Sequence, residues 1–141
     1  MTDNQLPKFV WPIVNYRDAR AGIRFLYDAF GFVEMLVVPG ETDDVVEHAQ
    51  LRWPEGGGVM LGTANRPGNV FSERPTGSGS YYVVTDEPDV VFERAMKAGA
   101  DLVREMREED YGSRGFSVSD PEGNIWSFGT YRGEAQAEQA G

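Results

Sequence analysis

The sequence predicts an α+β fold built from two βαβββ modules in tandem, and three observations carry that prediction. Pro54 to Thr63 reads PEGGGVMLGT and Pro121 to Thr130 reads PEGNIWSFGT, so one turn-and-strand phrase occurs twice. Asp18 stands 13 residues before Gly31, and Asp86 stands 13 residues before Gly99. The offset between copies is 68 for the Asp and Gly markers in the first half of each module and 67 for the Pro-Glu-Gly phrase in the second half, so a single insertion separates two full modules. An internal repeat sets architecture before any local pattern does. One such module has a sheet with a single helix, which covers only one face. Two modules side by side are therefore expected to form a curved, mixed eight-stranded sheet with helices outside and a concave ligand cup inside.

Each element follows from its own signal. Lys8 to Tyr16 alternates as a strand. Asp18 then caps a helix through Phe30, with Ala19, Ile23, Leu26, Tyr27 and Phe30 on one stripe and Gly31 at the stop. Phe32 to Val38 reads as a strand. Glu47 to Trp53 alternates clearly, and the Pro54–Gly58 turn leads into Val59 to Thr63. In module two the strand Ser80 to Thr85 precedes a helix, Asp86 to Ala98, with Pro88 in its first turn. Strands follow at Ala100 to Met106, Arg114 to Ser119 and Ile125 to Tyr131. The chain divides into one domain over residues 1–131, with module one at 8–63, a Gly-, Pro- and Ser-rich linker at 64–78 and module two at 79–131. Residues 132–141, whose only apolar type is alanine, read as a flexible tail.

Strand alternation assigns each residue to the helix side or the cup side. Val14, Tyr16, Ala49, Leu51, Val59 and Leu61 fall on the helix side, as do Tyr82, Val84, Phe116, Val118, Trp126 and Phe128. The cup side of module one receives Trp11, Ile13, Asn15, His48, Gln50, Arg52, Met60 and Gly62. Module two contributes Tyr81, Val83, Ser117, Ser127 and Gly129 to the same cup. The loop Asp110 to Arg114 enters a cup-facing strand and puts Tyr111 at the mouth.

Composition removes several function classes. The 141 residues contain no cysteine, which excludes disulfides, thiolate metal sites and a cysteine nucleophile. Thirteen Lys and Arg against 23 Asp and Glu give a formal charge of −10. That balance argues against nucleic acid as a partner, because such binding rests on clustered cations. No apolar run has the length of a membrane span, and the N-terminus lacks a signal-peptide core, so a cytoplasmic protein without a membrane partner is expected.

Paired βαβββ modules, the strand–Asp–helix–Gly opening and the segment DPEGNIWSF after a strand together resemble the vicinal-oxygen-chelate superfamily. That group holds glyoxalase I, extradiol dioxygenases, fosfomycin-resistance transferases and bleomycin-resistance proteins. The resemblance spans about residues 8–131. In its metal enzymes, His or Glu ligands come from the first and last strands of each module. The first-strand ligand lies seven residues before the helix-opening Asp, and the last-strand ligand six after the Pro of the turn. Those places hold Trp11 and Met60 in module one, and Gly79 and Ser127 in module two. None is a ligand suited to Zn, Ni, Mn or Fe, so no metal and no other cofactor is expected.

Two functional readings remain. In the first, resembling the bleomycin-resistance branch, a metal-free homodimer sequesters an aromatic or cationic small molecule, such as an antibiotic. Trp11, Tyr81 and Met60, with Ile13 and Val83, would form the aromatic and apolar lining, and Asn15, Gln50 and Arg52 the polar anchors. In the second, the chain is a lyase, isomerase or dioxygenase acting on a small oxygenated substrate. It would use the sole histidine, His48, as general base with Glu47 or Glu34, or would set His48 beside a hydroxyl of Ser117 or Ser127. The histidine is equally satisfied as a half-buried, hydrogen-bonded side chain. The 15-residue linker is long enough for modules to pair across chains.

Overall fold

The computed structural model describes residues 5–135. Module one comprises β1 (Ile13–Tyr16), α1 (Ala19–Phe25), β2 (Val33–Pro39), β3 (Val46–Arg52) and β4 (Gly58–Thr63). Module two comprises β5 (Ser80–Val84), α2 (Pro88–Lys97), β6 (Asp101–Glu108), β7 (Arg114–Ser119) and β8 (Ile125–Gly129). The tandem βαβββ order and the α+β class are as the repeat predicts. No helix among the described residues is long and apolar enough to cross a membrane.

Local chemistry explains the helix ends. The Asp18 carboxylate accepts the Ala21 amide at 3.0 Å, satisfying one of the free N–H groups at the start of α1. A π-helical turn, Leu26–Phe30, continues α1 and ends at Gly31, whose φ of 92° is open to glycine at little cost. Arg94 of α2 closes this turn from the other module, donating to the carbonyls of Asp28 at 3.0 Å and Tyr27 at 2.6 Å. Helix α2 starts at Pro88 after Glu87, so Asp86 lies outside it and Glu87, whose side chain makes no capping bond, takes the expected place. The first strand is shorter than the expected Lys8–Tyr16. Pro12 accepts from the Met60 amide at 2.9 Å but has no N–H of its own to extend the ladder. Of the expected tail, Arg132 pairs with Asp86 at 2.5 Å, and residues 136–141 lie outside the described residues.

The eight strands form two four-stranded sheets, ordered β1-β4-β3-β2 and β5-β8-β7-β6, in place of one eight-stranded sheet. In each, the first strand runs parallel to the last and the other pairs are antiparallel. Both sheets turn their inner faces to one shared core. Phe30 meets Phe128 at 4.6 Å, Phe32 meets Trp126 at 5.7 Å, and Trp53 meets Phe128 at 5.5 Å between ring centroids. In a continuous sheet with β1 beside β5, four strand spacings, about 19 Å, would separate β3 from β8. Trp53, which follows β3, could not then touch Phe128 or donate its indole N–H to the Val84 carbonyl, as it does at 3.0 Å. The sheets therefore meet through their inner faces, not edge to edge.

Three carboxylates fasten the modules. Asp120, 2% exposed, accepts the Tyr16 hydroxyl at 2.7 Å, the Trp126 indole at 3.0 Å and the Asn124 side-chain amide at 3.0 Å. Its other oxygen takes the backbone amides of Glu122 and Asn124 at 3.0 and 3.1 Å. Burial, and then the Asp120 carboxylate, push the Tyr16 phenol far above its ordinary value, so Tyr16 stays a donor. Glu122 accepts the amides of Arg17 and Asp18 at 2.7 and 2.9 Å, at the strand–helix junction of module one. Glu55 does the same in reverse, accepting the Thr85 hydroxyl at 2.7 Å and the Asp86 amide at 2.8 Å. The repeated Pro-Glu-Gly phrase is thus a reciprocal clasp.

Asp120→Ala is expected to lower unfolding free energy by about 3 kcal/mol or more, because it leaves several buried donors without an acceptor. Tyr16→Phe removes one bond and leaves Asp120 four, so it should cost about 1 kcal/mol. Urea denaturation monitored by tryptophan fluorescence checks both, and equal losses in the two variants would contradict the network.

Candidate functional site

A cavity of about 740 Å³ remains between the modules, with Phe9, Trp53, Glu55, Tyr81 and Arg132 among its walls, and the outer faces of the two sheets carry the side chains that alternation assigns to a cup. On module one, β1 and β4 set Ile13 beside Met60 and Asn15 beside Gly62, and β3 adds Gln50 opposite Met60. His48 and Arg52 share that face through alternation along β3, and β2 sets Val38 opposite His48 and Leu36 opposite Gln50. The Trp11 ring lies against Gly58, where an added Cβ would sit 2.8 Å from ring atom Cζ3. Asn15 is held by a bond from its side-chain amide to the Phe71 carbonyl of the linker. Trp11, Ile13, Asn15, His48, Gln50, Arg52 and Met60 are therefore brought to one face, as expected.

Module two departs from expectation in one strand. Register sets Tyr81 beside Trp126 and Val83 beside Phe128, both on the core side. The Tyr81 ring packs on Trp126 at 4.7 Å, and burial raises its phenol above the ordinary value. Tyr81 and Val83 are inner-face residues, and Tyr82, 51% exposed, takes the outer face beside Ser127. The cause is a slip in the repeat. Ile13 beside Met60 corresponds to Tyr82 beside Ser127, an offset of 69 where the Asp18–Asp86 marker gives 68, and the helix start shares the slip because Glu87 takes the cap position. A one-residue shift turns every side chain of a strand to the other face.

The outer face of module two holds a small cavity, about 150 Å³, over the paired strands β7 and β8. Ser117 and Ser127 face each other there with their hydroxyl oxygens 2.6 Å apart. Tyr82 donates its hydroxyl to the Tyr131 carbonyl at 2.6 Å, and Tyr111 meets the Tyr131 ring edge-on at 5.3 Å. Arg104 and Arg107 come from β6, opposite Ser117 and Gly115. The sequence gives no signal for either arginine, because charges of both signs follow one another from Arg104 to Asp110. Only the pairing of β6 on β7 reveals that two of its cations line the same cavity as the serines.

The expected metal places do not recover donors. By register the first-strand neighbours of Met60 and Ser127 are Ile13 and Tyr82, while Trp11 precedes β1 and Gly79 precedes β5. Among the described residues no three His, Cys, Asp or Glu side chains converge as a metal site would require. The residues present do not fit a divalent metal. His48 lies on module one and Ser117 and Ser127 on module two, on outer faces separated by the core, so one chain does not assemble a histidine–serine pair.

Residues 8–128 match the profile of the glyoxalase/bleomycin resistance protein/dioxygenase superfamily. The chain belongs to that superfamily. Uncharacterized proteins of Mycobacterium bovis and Mycobacterium tuberculosis are 34% identical to it over 117 residues, which cover 79% of this chain and 76% and 68% of theirs. The crystal structure of TioX from Micromonospora sp. ML1 is similar at a TM-score of 0.71 and 28% identity, covering 86% of this chain and 98% of that one. A glyoxalase/bleomycin resistance protein/dioxygenase from Nocardioides shares the fold at a TM-score of 0.64 and 19% identity, over 96% and 91% of the two chains.

Ser117→Ala and Ser127→Ala should each be mild alone, because the remaining hydroxyl can turn to solvent. A double-mutant cycle in thermal or urea unfolding is expected to show a coupling of about 1 kcal/mol between them. Additive losses would mean that the two hydroxyls do not depend on each other.

Proposed function

We propose that this protein captures a small organic molecule on its outer faces without a metal and without breaking a bond. The observation that carries this reading is the replacement chemistry at the superfamily's ligand places. Met60 and Ser127 stand there with Ile13 and Tyr82 beside them, so apolar and aromatic contact supplants coordination. Trp11 over Gly58 and Tyr82 beside Tyr131 offer flat surfaces to an aromatic ligand. The finer part of the proposal is assembly as a homodimer. Each outer face is an open half-cup, and a second copy can set its module two against module one of the first.

Sedimentation at micromolar concentration should then show a dimer, and elemental analysis of purified protein should find no stoichiometric divalent metal. His48→Ala should change affinity for a captured aromatic compound by about 1 kcal/mol, the scale of one hydrogen bond. Chemical conversion of a bound compound that disappears in His48→Ala would overturn capture in favour of catalysis, since losing a general base costs roughly 10²- to 10⁴-fold in rate.

A further inference from the structure

We infer that the cavity on module two is an anion subsite, built to take the carboxylate or a similar oxyanion of an aromatic molecule. This deepens the capture reading above and rests on it. The argument starts from unspent donors. Two serine hydroxyls carry two protons, and their mutual bond at 2.6 Å uses one, so one O–H remains to donate into the cavity. Arg104 lies opposite Ser117 in the ladder and has no ion pair or hydrogen bond among the described residues. Arg107 is already occupied, bound to Glu109 at 2.5 Å, and both of these side chains line the same cavity. The pairing of Arg107 with Glu109 leaves Arg104 as the guanidinium available to a ligand.

The remaining walls suit the rest of such a molecule. Gly115 and Gly129 pair with each other beneath the cavity, and the Tyr82 ring lies against Gly129, so the wall offered to a flat group is the phenol ring. Tyr82 and Tyr111 stand at its rim, positioned through Tyr131. A guanidinium offers a planar fork of donors that matches a carboxylate with two parallel bonds. A cationic ligand would meet Arg104 as a like charge, and the one carboxylate in the cavity is engaged. The net charge of −10 does not oppose this, because exposed charges beyond about 10 Å are largely screened at ordinary salt while a contact pair is not. The ligand end that this cavity suits is anionic, where the resemblance to the bleomycin-resistance branch leads to the expectation of an aromatic or cationic molecule.

Isothermal titration of the full chain with three matched probes tests it: 2-naphthoate, neutral 2-naphthamide and the cation (2-naphthylmethyl)ammonium. Naphthoate should bind at least about tenfold tighter than either other probe. That preference should shrink on raising the salt and should be largely lost in Arg104→Gln, whose exposed position leaves the fold intact. Naphthoate binding no tighter than the amide, or a preference that survives in Arg104→Gln, overturns the anion subsite. Comparable binding of all three probes would leave capture standing while removing the subsite. No binding of any probe at about 1 mM would count against both.

Discussion

The buried carboxylate of Asp120 is the contact on which the rest of the architecture depends. It sits in the module-two turn, yet one of its donors is Tyr16, at the end of the first strand of the other module. A carboxylate taken from water is stable only when its lone pairs are filled, and here five donors fill them. The arrangement holds only if β1 and the β7–β8 turn stay in register across the module boundary. Glu122 and Glu55 repeat the constraint at the periphery, each reading the backbone where the opposite module passes from strand to helix. These bonds fix orientation, while the aromatic cluster around Phe30, Phe32, Trp53, Trp126 and Phe128 supplies apolar burial where the modules meet.

That choice of contact decides how the two outer faces stand to each other. Because both inner faces are buried together, the faces carrying Met60 and Ser127 stand on opposite sides of the core. A half-cup with a polar, arginine-flanked floor on one module and an apolar face with His48 and Gln50 on the other are chemically different surfaces. Their difference suits a ligand with a flat apolar body and a charged end. The superfamily's metal chemistry needs converging imidazole and carboxylate groups, and these strands supply thioether, hydroxyl, alkyl and phenol groups at the equivalent places.

Several site residues were legible from alternation alone. In β3 the pattern is clean, with Ala49 and Leu51 buried and His48 and Gln50 half-buried on the opposite face, because one side of that strand meets the core and the other does not. In β5 the pattern SYYVV is apolar or aromatic at four successive positions, so alternation gives no phase and the repeat offset had to set it. The offset differs by one at that strand, and Tyr81 and Tyr82 exchanged faces as a result. Arg104 was hidden for a related reason. β6 is exposed over nearly its whole length, so its charges carry no periodic signal of which way they point.

The sequence by itself determined the tandem βαβββ order, the positions of both helices and the turns, and the absence of metal donors at the strand positions that matter. Those properties are local: they follow from alternation, capping residues, glycines and residue identity, and they need no knowledge of what packs against what. The tertiary structure decided how the modules meet, which outer face Tyr82 joins, and that Arg104 lies opposite Ser117. Those depend on contacts between residues far apart in the chain, such as Tyr16 with Asp120 and Trp53 with Phe128. A hydrophobic pattern marks a face as buried without naming its partner, so the same two modules could have met edge to edge around one cup or through their inner faces around one core. The inner-face arrangement is the one in which Asp120, Glu122 and Glu55 all reach donors in the opposite module.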